Sequence, residues 1–341
     1  MQNNFFFFIF KHRHRKRAFN NFLKIKKIKN NYIFDLSGAI KYYLVGLPLY
    51  IFVKIFSKYF KNFIFISCDG LPQIQSNGVN IWFGGTSYKV PEKLKKSDNN
   101  CFVFENFSKK EPNLINFYPY KPVKAKSIKE HKIIFIGSFN IVENKLIDQI
   151  WDKENELIFN DLKIIDNFSF WEKYDLQNHK RLQTFYLQLK ERLRFNLIIK
   201  LKDIFNEKFI LVGTKWKNFI ETAQNDEFDI SKIRNLYNGN ICLDFGSKWG
   251  SNIFYPRSVE IIENGGLLFQ SEQINSPKEL YSLEIINNFN NFEKLVSELN
   301  NLINNSNLME QKFDKQFSYF SNENLNYMTL NRIYEISKKN N

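Results

Sequence analysis

The chain has 341 residues, of which 43% are hydrophobic and 25% are charged, so it is globular and long enough for two domains rather than a short binding motif. Its three cysteines are widely spaced and odd in number, which argues against a disulfide framework and against a structural zinc site. The formal net charge of +14 indicates an anionic partner, and this charge is unevenly placed.

Residues 1–61 form a basic and apolar first segment. Nine lysines and arginines precede the first acidic residue, Asp35, and the run YYLVGLPLYIFV at 42–53 is strongly apolar but too short to span a bilayer. The basic arm is typical of binding to anionic lipids or nucleic acid, and also of a solvated tail. The apolar run favours peripheral attachment at the cytoplasmic membrane face, and an ordinary core helix is the alternative. We expect neither a cleaved signal nor a transmembrane helix.

Residues 62–125 give few secondary-structure signals. Strands are predicted at 62–67 and 80–83, and the sequence CDGLP at 68–72 predicts a turn after the first of them. The prolines that follow indicate an irregular stretch, with a connection at about 118–129. We therefore expect an abbreviated amino-terminal α/β domain, with too few strands for a complete sheet.

Strands and helices alternate clearly in residues 132–320, which predicts a doubly wound, Rossmann-like α/β domain. The apolar positions of the long helix predicted at 179–205 have helical spacing and indicate core packing. A last helix is predicted within 321–341. The other predicted elements are strands at 132–136, 208–212, 240–245 and 267–269, and helices at 142–150, 230–237, 292–304 and 308–320.

A glycine follows three of these strands: Gly137, Gly213 and Gly246. Glycine at such a position lets backbone amides approach a phosphate, and the start of a helix adds favourable partial charge. None of the three belongs to a complete phosphate-binding motif, so each by itself also fits an ordinary strand-to-helix turn.

Arg257 and Glu260 lie three residues apart at the start of a helix that is bracketed by two apolar strands. Ligands of parallel sheets bind at the carboxyl ends of the strands, where this helix begins. The arginine has the geometry to hold a diphosphate and the glutamate can accept hydrogen bonds from ribose hydroxyls. The alternative is a surface ion pair between the two.

The residues NICLDFGSKWGSNIFYPRSVEIIENGGLLFQS at 240–271, with FILVGTKWKNF before them and SPKELY and NFEKLVSELNNLI after them, resemble the carboxyl-terminal domain of GT-B glycosyltransferases. Within that fold they are most similar to the group of CgeB-like spore-maturation proteins. The resemblance covers about 132–320. It implies a nucleotide-sugar donor, a ribose held by Glu260, the arginine at Arg257 and the following turn at Gly265.

The resemblance assigns further donor-binding positions. Gly137 and Ser138 match the glycine loop that opens the domain, and Gly213, Lys215 and Trp216 match a loop whose basic residue faces the diphosphate. Many retaining relatives carry a second glutamate eight residues before the first, where this chain has Asn252, so the stereochemical outcome stays open. Amides and basic side chains, rather than a metal, are expected to meet the donor charge, and no cofactor is expected beyond the nucleotide-sugar substrate.

Asp69, in the turn after a predicted strand, is the candidate catalytic base, and a turn-forming aspartate is the alternative. The sequence thus predicts a metal-independent glycosyltransferase that acts on a glycan or lipid-linked acceptor in cell-surface polysaccharide synthesis or in protein or lipid glycosylation. Two other functions stay open: a nucleic-acid-binding protein that uses the basic arm, and a catalytically silent homologue that serves as a scaffold.

Overall fold

The structure is a computed structural model, in which the chain divides into two compact units, Met1–Tyr120 with Asn322–Asn341, and Lys121–Ser321. It describes residues 122–128, 130–224, 230–245, 256–272 and 278–322. Of the residues before these, it describes residue 44, residues 47–56 and six strands. In these described parts, the helices fall short of the length and apolar character needed to cross a membrane.

The first unit contains a parallel sheet with the strand order β2-β1-β3-β4-β5-β6. Phe7 of β1 pairs with Tyr32 on one side and with Phe65 on the other, so β1 is an interior strand. Its sequence, FFFFIF, is the continuous apolar run expected of such a strand. The elements are β1 (Phe5–Phe10), β2 (Asn31–Asp35), helix α1 (Leu47–Ile55), β3 (Phe63–Cys68), β4 (Val79–Phe83), β5 (Asn100–Phe104) and β6 (Leu114–Asn116).

The predicted strands at 62–67 and 80–83 are confirmed as β3 and β4. The sequence nevertheless underestimates the sheet, because β1 and β2 lie within the segment interpreted as a basic arm and apolar stretch. A strand of five or six residues next to a charged run gives no periodicity that distinguishes it. The turn at 68–72 and the helix predicted within 321–341 lie outside the described residues.

The second unit contains a parallel sheet with the strand order β11-β10-β9-β7-β8, which confirms the doubly wound arrangement. The chain proceeds from β7 to β8 on one side and continues with β9 on the other, so the topological switch point lies between β7 and β9. The strands are β7 (Ile133–Ile136), β8 (Phe209–Val212), β9 (Ile241–Asp244), β10 (Leu267–Ser271) and β11 (Asn287–Phe289).

The helices of this unit cover the sheet. The predicted long helix is α4, and its apolar stripe is core packing, since Leu189, Leu193, Leu197 and Leu201 are buried. The predicted helix that carries Arg257 begins at Pro256, as expected for proline in a first turn. The helices are α2 (Lys145–Asn160), α3 (Phe168–Glu172), α4 (Leu182–Phe205), α5 (Ile230–Tyr237), α6 (Pro256–Glu263), α7 (Lys278–Ser282), α8 (Phe292–Asn304) and α9 (Ser306–Phe320).

One edge of β10 is completed by a side chain. Leu267 N–H donates to Asn240 O, just before β9, so the neighbouring Leu268 N–H points the other way, where β11 pairs only from Phe269 onward. The buried amide of Gln316, on α9, accepts from Leu268 N–H at 3.0 Å and donates to Gly266 O at 2.7 Å. Gln316 therefore satisfies two backbone groups that the short β11 leaves unpaired.

Candidate functional site

The loops that follow β7 and β8 pack backbone against backbone at the carboxyl edge of the sheet. Gly137 N–H donates to Val212 O at 2.9 Å. Gly213 has a φ of +149°, and a Cβ on it would lie 2.4 Å from Gly137 O. Only glycine combines this conformation with so close an approach, which explains why a glycine follows β8.

Hydroxyl groups tie the same two loops together. Thr214 donates to Ser138 Oγ from its backbone N–H at 3.1 Å and from its own hydroxyl at 2.7 Å. The next residue, Lys215, has a left-handed φ of +72°, and its ammonium donates to Asn140 Oδ1 at 3.3 Å. The two loops therefore present exposed hydroxyls and a cation at one place.

Trp216 supports this loop pair from the core side. Its side chain is completely buried, its indole N–H donates to Gly137 O at 2.6 Å, and its ring stacks on Phe195 with 5.6 Å between centroids. A side chain in this position contributes to the site by fixing Gly137 rather than by lining a ligand surface.

Arg257 reaches from the start of α6 to the end of β7. Its Nη1 would lie 2.8 Å from a Cβ on Gly137, and its Cζ lies 6.0 Å from the centre of the Phe135 ring. This contact spans the switch point, because α6 follows β9 whereas Gly137 follows β7. The sequence-based expectation that Arg257 faces the carboxyl edge of the sheet agrees with this placement.

A second arginine, Arg194 of α4, holds the Gly137 loop from another side. Its Nη2 donates to Ser138 O and to Glu191 Oε2, both at 2.6 Å. The same carboxylate oxygen accepts from Asn140 N–H at 3.2 Å. The Arg194–Glu191 ion pair thus clamps both ends of the segment from Ser138 to Asn140.

The two arginines are close enough to affect each other. Burial lowers the pKa of Arg194, the carboxylate of Glu191 raises it, and the positive charge of Arg257 lowers it further. Asp244 acts in the same direction as Glu191 but more weakly. Guanidinium groups remain protonated, so two like charges converge on the Gly137 loop, and an anion placed between them is stabilised.

Glu260 lies one turn beyond Arg257 in α6 and is three-quarters buried. Burial raises the pKa of its carboxyl above the ordinary value of 4.5, whereas Arg234 and Arg257 act to lower it. Arg234 comes from α5, and its Nε lies 3.8 Å from Glu260 Oε1. Glu260 is therefore a largely buried carboxylate set between two guanidinium groups, and it forms an ion pair with Arg234.

A buried chain of hydrogen bonds runs behind these residues. Tyr281 of α7 donates to Gln270 Oε1 at 3.3 Å, Gln270 Nε2 donates to Ser258 Oγ at 3.3 Å, and Ser258 donates to Asp244 Oδ2. Asp244 ends β9, and Ser258 adjoins Arg257 in α6. The chain therefore ties the first turn of α6 to the carboxyl end of β9.

Two solved glycosyltransferase structures are similar to the chain over nearly its whole length. A glycosyltransferase from Rickettsia africae ESF-5 aligns over 99% of each chain with 11% identity and a TM-score of 0.52. WaaG, a glycosyltransferase involved in lipopolysaccharide biosynthesis, covers 97% of this chain and 99% of its own, with 9% identity and a TM-score of 0.48. The chain has a GT-B-like fold. No protein-family model matches it, and no curated protein does.

The GT-B-like carboxyl-terminal unit brings most of the described predicted residues together, but it places Gly265 away from them. Gly137, Ser138, Gly213, Lys215, Trp216, Arg257 and Glu260 all lie at or behind the carboxyl edge of the sheet. Gly265 ends α6 with a φ of +77°, near Val123 and Ala125 at the opposite edge. Asn252, Gly246 and Asp69 lie outside the described residues.

Sequence reasoning missed Arg194, Glu191 and Asp244. Two of them form a charged i,i+3 pair beside the apolar stripe of α4, where a solvated pair would have the same pattern. Asp244 is an acidic residue at the end of an apolar strand, which is a stronger signal, because a buried carboxylate needs partners.

Proposed function

We propose that the protein is a glycosyltransferase, of the CgeB-like group, which moves a sugar from a nucleotide-sugar donor to a glycan or lipid-linked acceptor. The observation that carries this proposal is the convergence of Arg257 and Arg194 on the loop at Gly137, at the switch point of a GT-B-like sheet. That is the place where parallel sheets receive ligands, and its charge suits a diphosphate.

The donor diphosphate is assigned to the surface around Gly137 and Ser138. Arg257 supplies a planar set of donors for the phosphate oxygens, and Lys215 supplies a second, more mobile cation. The hydroxyls of Ser138 and Thr214 lie 2.7 Å apart there and add neutral donors. Arg194 holds the Gly137 loop in place through Ser138 O and adds a positive charge that is itself mostly buried.

The donor ribose is assigned to Glu260. An ionised carboxylate accepts hydrogen bonds from two neighbouring hydroxyls, and the charges of Arg234 and Arg257 favour this ionised form against the effect of burial. Because Glu260 lies one turn along α6 from Arg257, a single helix positions both contacts. Ribose and diphosphate are adjacent in a nucleoside-diphosphate sugar, as these two side chains are along α6.

In the transfer, the bond between the anomeric carbon and the diphosphate oxygen breaks, and its electron pair stays on the diphosphate. The acceptor hydroxyl oxygen bonds to the anomeric carbon and releases its proton to a base, for which Asp69 stays the prediction. Arg257 and Lys215 stabilise the charge that develops on the departing diphosphate. With those cations present we propose metal-independent chemistry, so activity is expected to persist in EDTA.

Thermal-shift measurements against UDP-, GDP-, ADP- and dTDP-sugars test the donor site. A ligand that binds only the folded protein raises its melting temperature, and one nucleotide class is expected to do so. R257A and E260A should lose that shift while remaining folded. The matched control is R181A, because Arg181 is an exposed arginine at the start of α4. A shift retained in both site variants would contradict the proposal.

Transfer and hydrolysis assays with the donor identified in this way separate an enzyme from a silent homologue. Turnover that is lost in R257A and E260A supports an enzyme, whereas donor binding without turnover on any acceptor of a glycan and lipid panel supports a scaffold. Salt-sensitive RNA binding without any donor-induced shift would support the nucleic-acid-binding alternative instead.

A further inference from the structure

Helix α1 of the first unit presents large apolar side chains to solvent. Leu44, just before the helix, is 70% exposed, and Ile51, Phe52 and Ile55 are 48%, 50% and 63% exposed. Phe56, at the helix end, packs its ring 4.8 Å from that of Phe52 and is still 39% exposed. Single exposed apolar residues are ordinary, but a contiguous group of them marks an interaction surface.

These side chains form one continuous surface. Successive helical residues are about 100° apart around the axis, so Leu47, Ile51, Phe52, Ile55 and Phe56 fall within about half of the circumference. Leu47 is also exposed, at 38%. We call the surface made by these five residues the apolar face of α1. It is an unbroken apolar strip along a helix of nine residues.

The charge of the chain is concentrated around this face in sequence. Residues 1–61 contain thirteen lysines and arginines and a single acidic residue, so they carry +12 of the formal net charge of +14. Lys54, Lys58 and Lys61 lie within or directly after the helix. An apolar surface with cations close to it in the sequence is complementary to a lipid bilayer with anionic headgroups.

We propose that the apolar face of α1, with its neighbouring basic residues, docks on an anionic lipid membrane. A helix of nine residues is about 14 Å long, against a hydrocarbon core of about 30 Å, so it lies along the headgroup region rather than across the bilayer. The apolar side chains enter the acyl boundary and the lysines remain among the phosphates. This inference goes beyond the proposed transfer reaction and does not depend on it.

Two other occupants fit less well. Nucleic acid would use the basic residues and could stack on Phe52, but it has no partner for Leu47, Ile51 and Ile55. A second copy of the chain would bring two strongly basic segments together, and charge is depleted at the centre of protein interfaces. Of these three occupants, the bilayer is the one that offers both an apolar phase and negative charge.

Co-sedimentation of the full chain with vesicles tests the proposal. The protein is expected to pellet with vesicles of equal parts phosphatidylcholine and phosphatidylglycerol, and much less with phosphatidylcholine alone. The double variant I51Q/I55Q should bind the anionic vesicles about tenfold more weakly or worse, because two isoleucines no longer enter the acyl boundary. The variant I51L/I55L should bind like the wild type. So should I204Q, because Ile204 of α4 is also 48% exposed but lies far from this surface in sequence.

A second variant, K54Q/K58Q/K61Q, tests the charge and leaves the apolar face intact, so the test does not depend on the fold of I51Q/I55Q. It should weaken binding to the anionic vesicles and flatten the dependence on salt. A wild-type protein that stays in the supernatant with anionic vesicles would overturn the proposal. So would unchanged vesicle binding by I51Q/I55Q, or a wild-type oligomer that this variant dissociates. The donor-induced thermal shift should be unaffected in every variant, so failure here is distinguishable from failure of the transferase assignment.

Discussion

The guanidinium group of Arg257 lies directly against the backbone of Gly137, although the two residues are 120 positions apart in the chain. Arg257 belongs to the helix after β9 and Gly137 to the loop after β7. Their contact therefore joins the two loops on either side of the switch point of the sheet. The absence of a side chain at Gly137 is what lets the arginine occupy this position. Arg257 can therefore adopt this position only because residue 137 is a glycine.

Replacing Gly137 with alanine should displace Arg257. The new Cβ would lie 2.8 Å from Arg257 Nη1 and 3.1 Å from Phe135 Cζ, and the flexible arginine has the greater freedom to move. Donor affinity should fall by about tenfold or more, as when a charged hydrogen bond is lost. Global stability should change by only about 1 kcal/mol, since Gly137 has no positive φ. Titration calorimetry with the donor and urea unfolding measure the two effects.

A double-mutant cycle shows whether the glycine acts through the arginine. In the R257A background, G137A should cost little further donor affinity, because the group that it displaces is already absent. Independent and additive losses from the two substitutions would contradict the link between Gly137 and Arg257.

Replacing Ser258 with alanine should interrupt the buried chain from Tyr281 to Asp244. The hydroxyl of Ser258 both donates to Asp244 and accepts from Gln270, so its loss leaves a buried carboxylate and a buried amide short of one partner each. We expect a loss of about 2 kcal/mol in the free energy of unfolding. Donor affinity should also fall, because Ser258 adjoins Arg257 in the first turn of α6.

Two comparisons make that result specific. The variant Y281F removes only the last donor of the chain and should cost less stability than S258A. The variant S318A, at an exposed serine of α9, should leave stability within about 0.5 kcal/mol of the wild type. Equal losses in S258A and S318A would show that the hydrogen-bond chain does not hold α6.

The part of the site that could be predicted from sequence is the part built from local pattern. An apolar strand, a proline and a double glycine place Arg257 and Glu260 at the start of a helix, and the parallel topology brings that helix to the edge where ligands bind. Arg194 and Glu191 could not be found in this way. Their role depends on α4 packing beside a loop more than fifty residues earlier, and no local pattern encodes that contact.

The first unit shows the same limit on the scale of whole strands. The run Phe5–Phe10 is an interior strand, but its neighbours in the sheet are Asn31–Asp35 and Phe63–Cys68, which lie far from it in the chain. Without those partners, six apolar residues before a basic run are equally consistent with several structures. Clear alternation of strands and helices in the second unit supplied the context that the first unit lacks.

The buried carboxyl of Glu260 should make stability depend on pH. Its pKa is raised in the folded protein. Between the ordinary pKa of 4.5 and this raised value, the folded state therefore holds a proton that the unfolded state has released. This contribution is fully present below the ordinary pKa of 4.5 and is lost as the pH rises through the raised value. E260Q should lack that loss. Urea unfolding of both proteins from about pH 4 to about pH 7 measures it.

We expect the free energy of unfolding of the wild type to fall relative to that of E260Q as the pH rises across this range. The variant E156Q, at an exposed glutamate of α2, should follow the wild type throughout. A pH-independent difference would mean that Arg234 and Arg257 cancel the effect of burial on Glu260. Donor binding should weaken towards low pH in the wild type, since the protonated carboxyl accepts fewer hydrogen bonds.

Gln316 offers a test of the sheet away from the candidate site. Q316A should remove both hydrogen bonds that its amide makes to the edge of β10 and leave Leu268 N–H and Gly266 O buried without them. The expected loss is about 2 to 4 kcal/mol in the free energy of unfolding, because each unsatisfied buried group costs about 1 to 3 kcal/mol.

Q316E retains an acceptor for Leu268 but not the donor to Gly266, and it should also be destabilised. The matched control is Q311A, an exposed glutamine of the same helix, which should unfold like the wild type. Donor binding by folded Q316A should be unchanged, since β10 meets α9 at its amino end and the candidate site lies at the carboxyl edge.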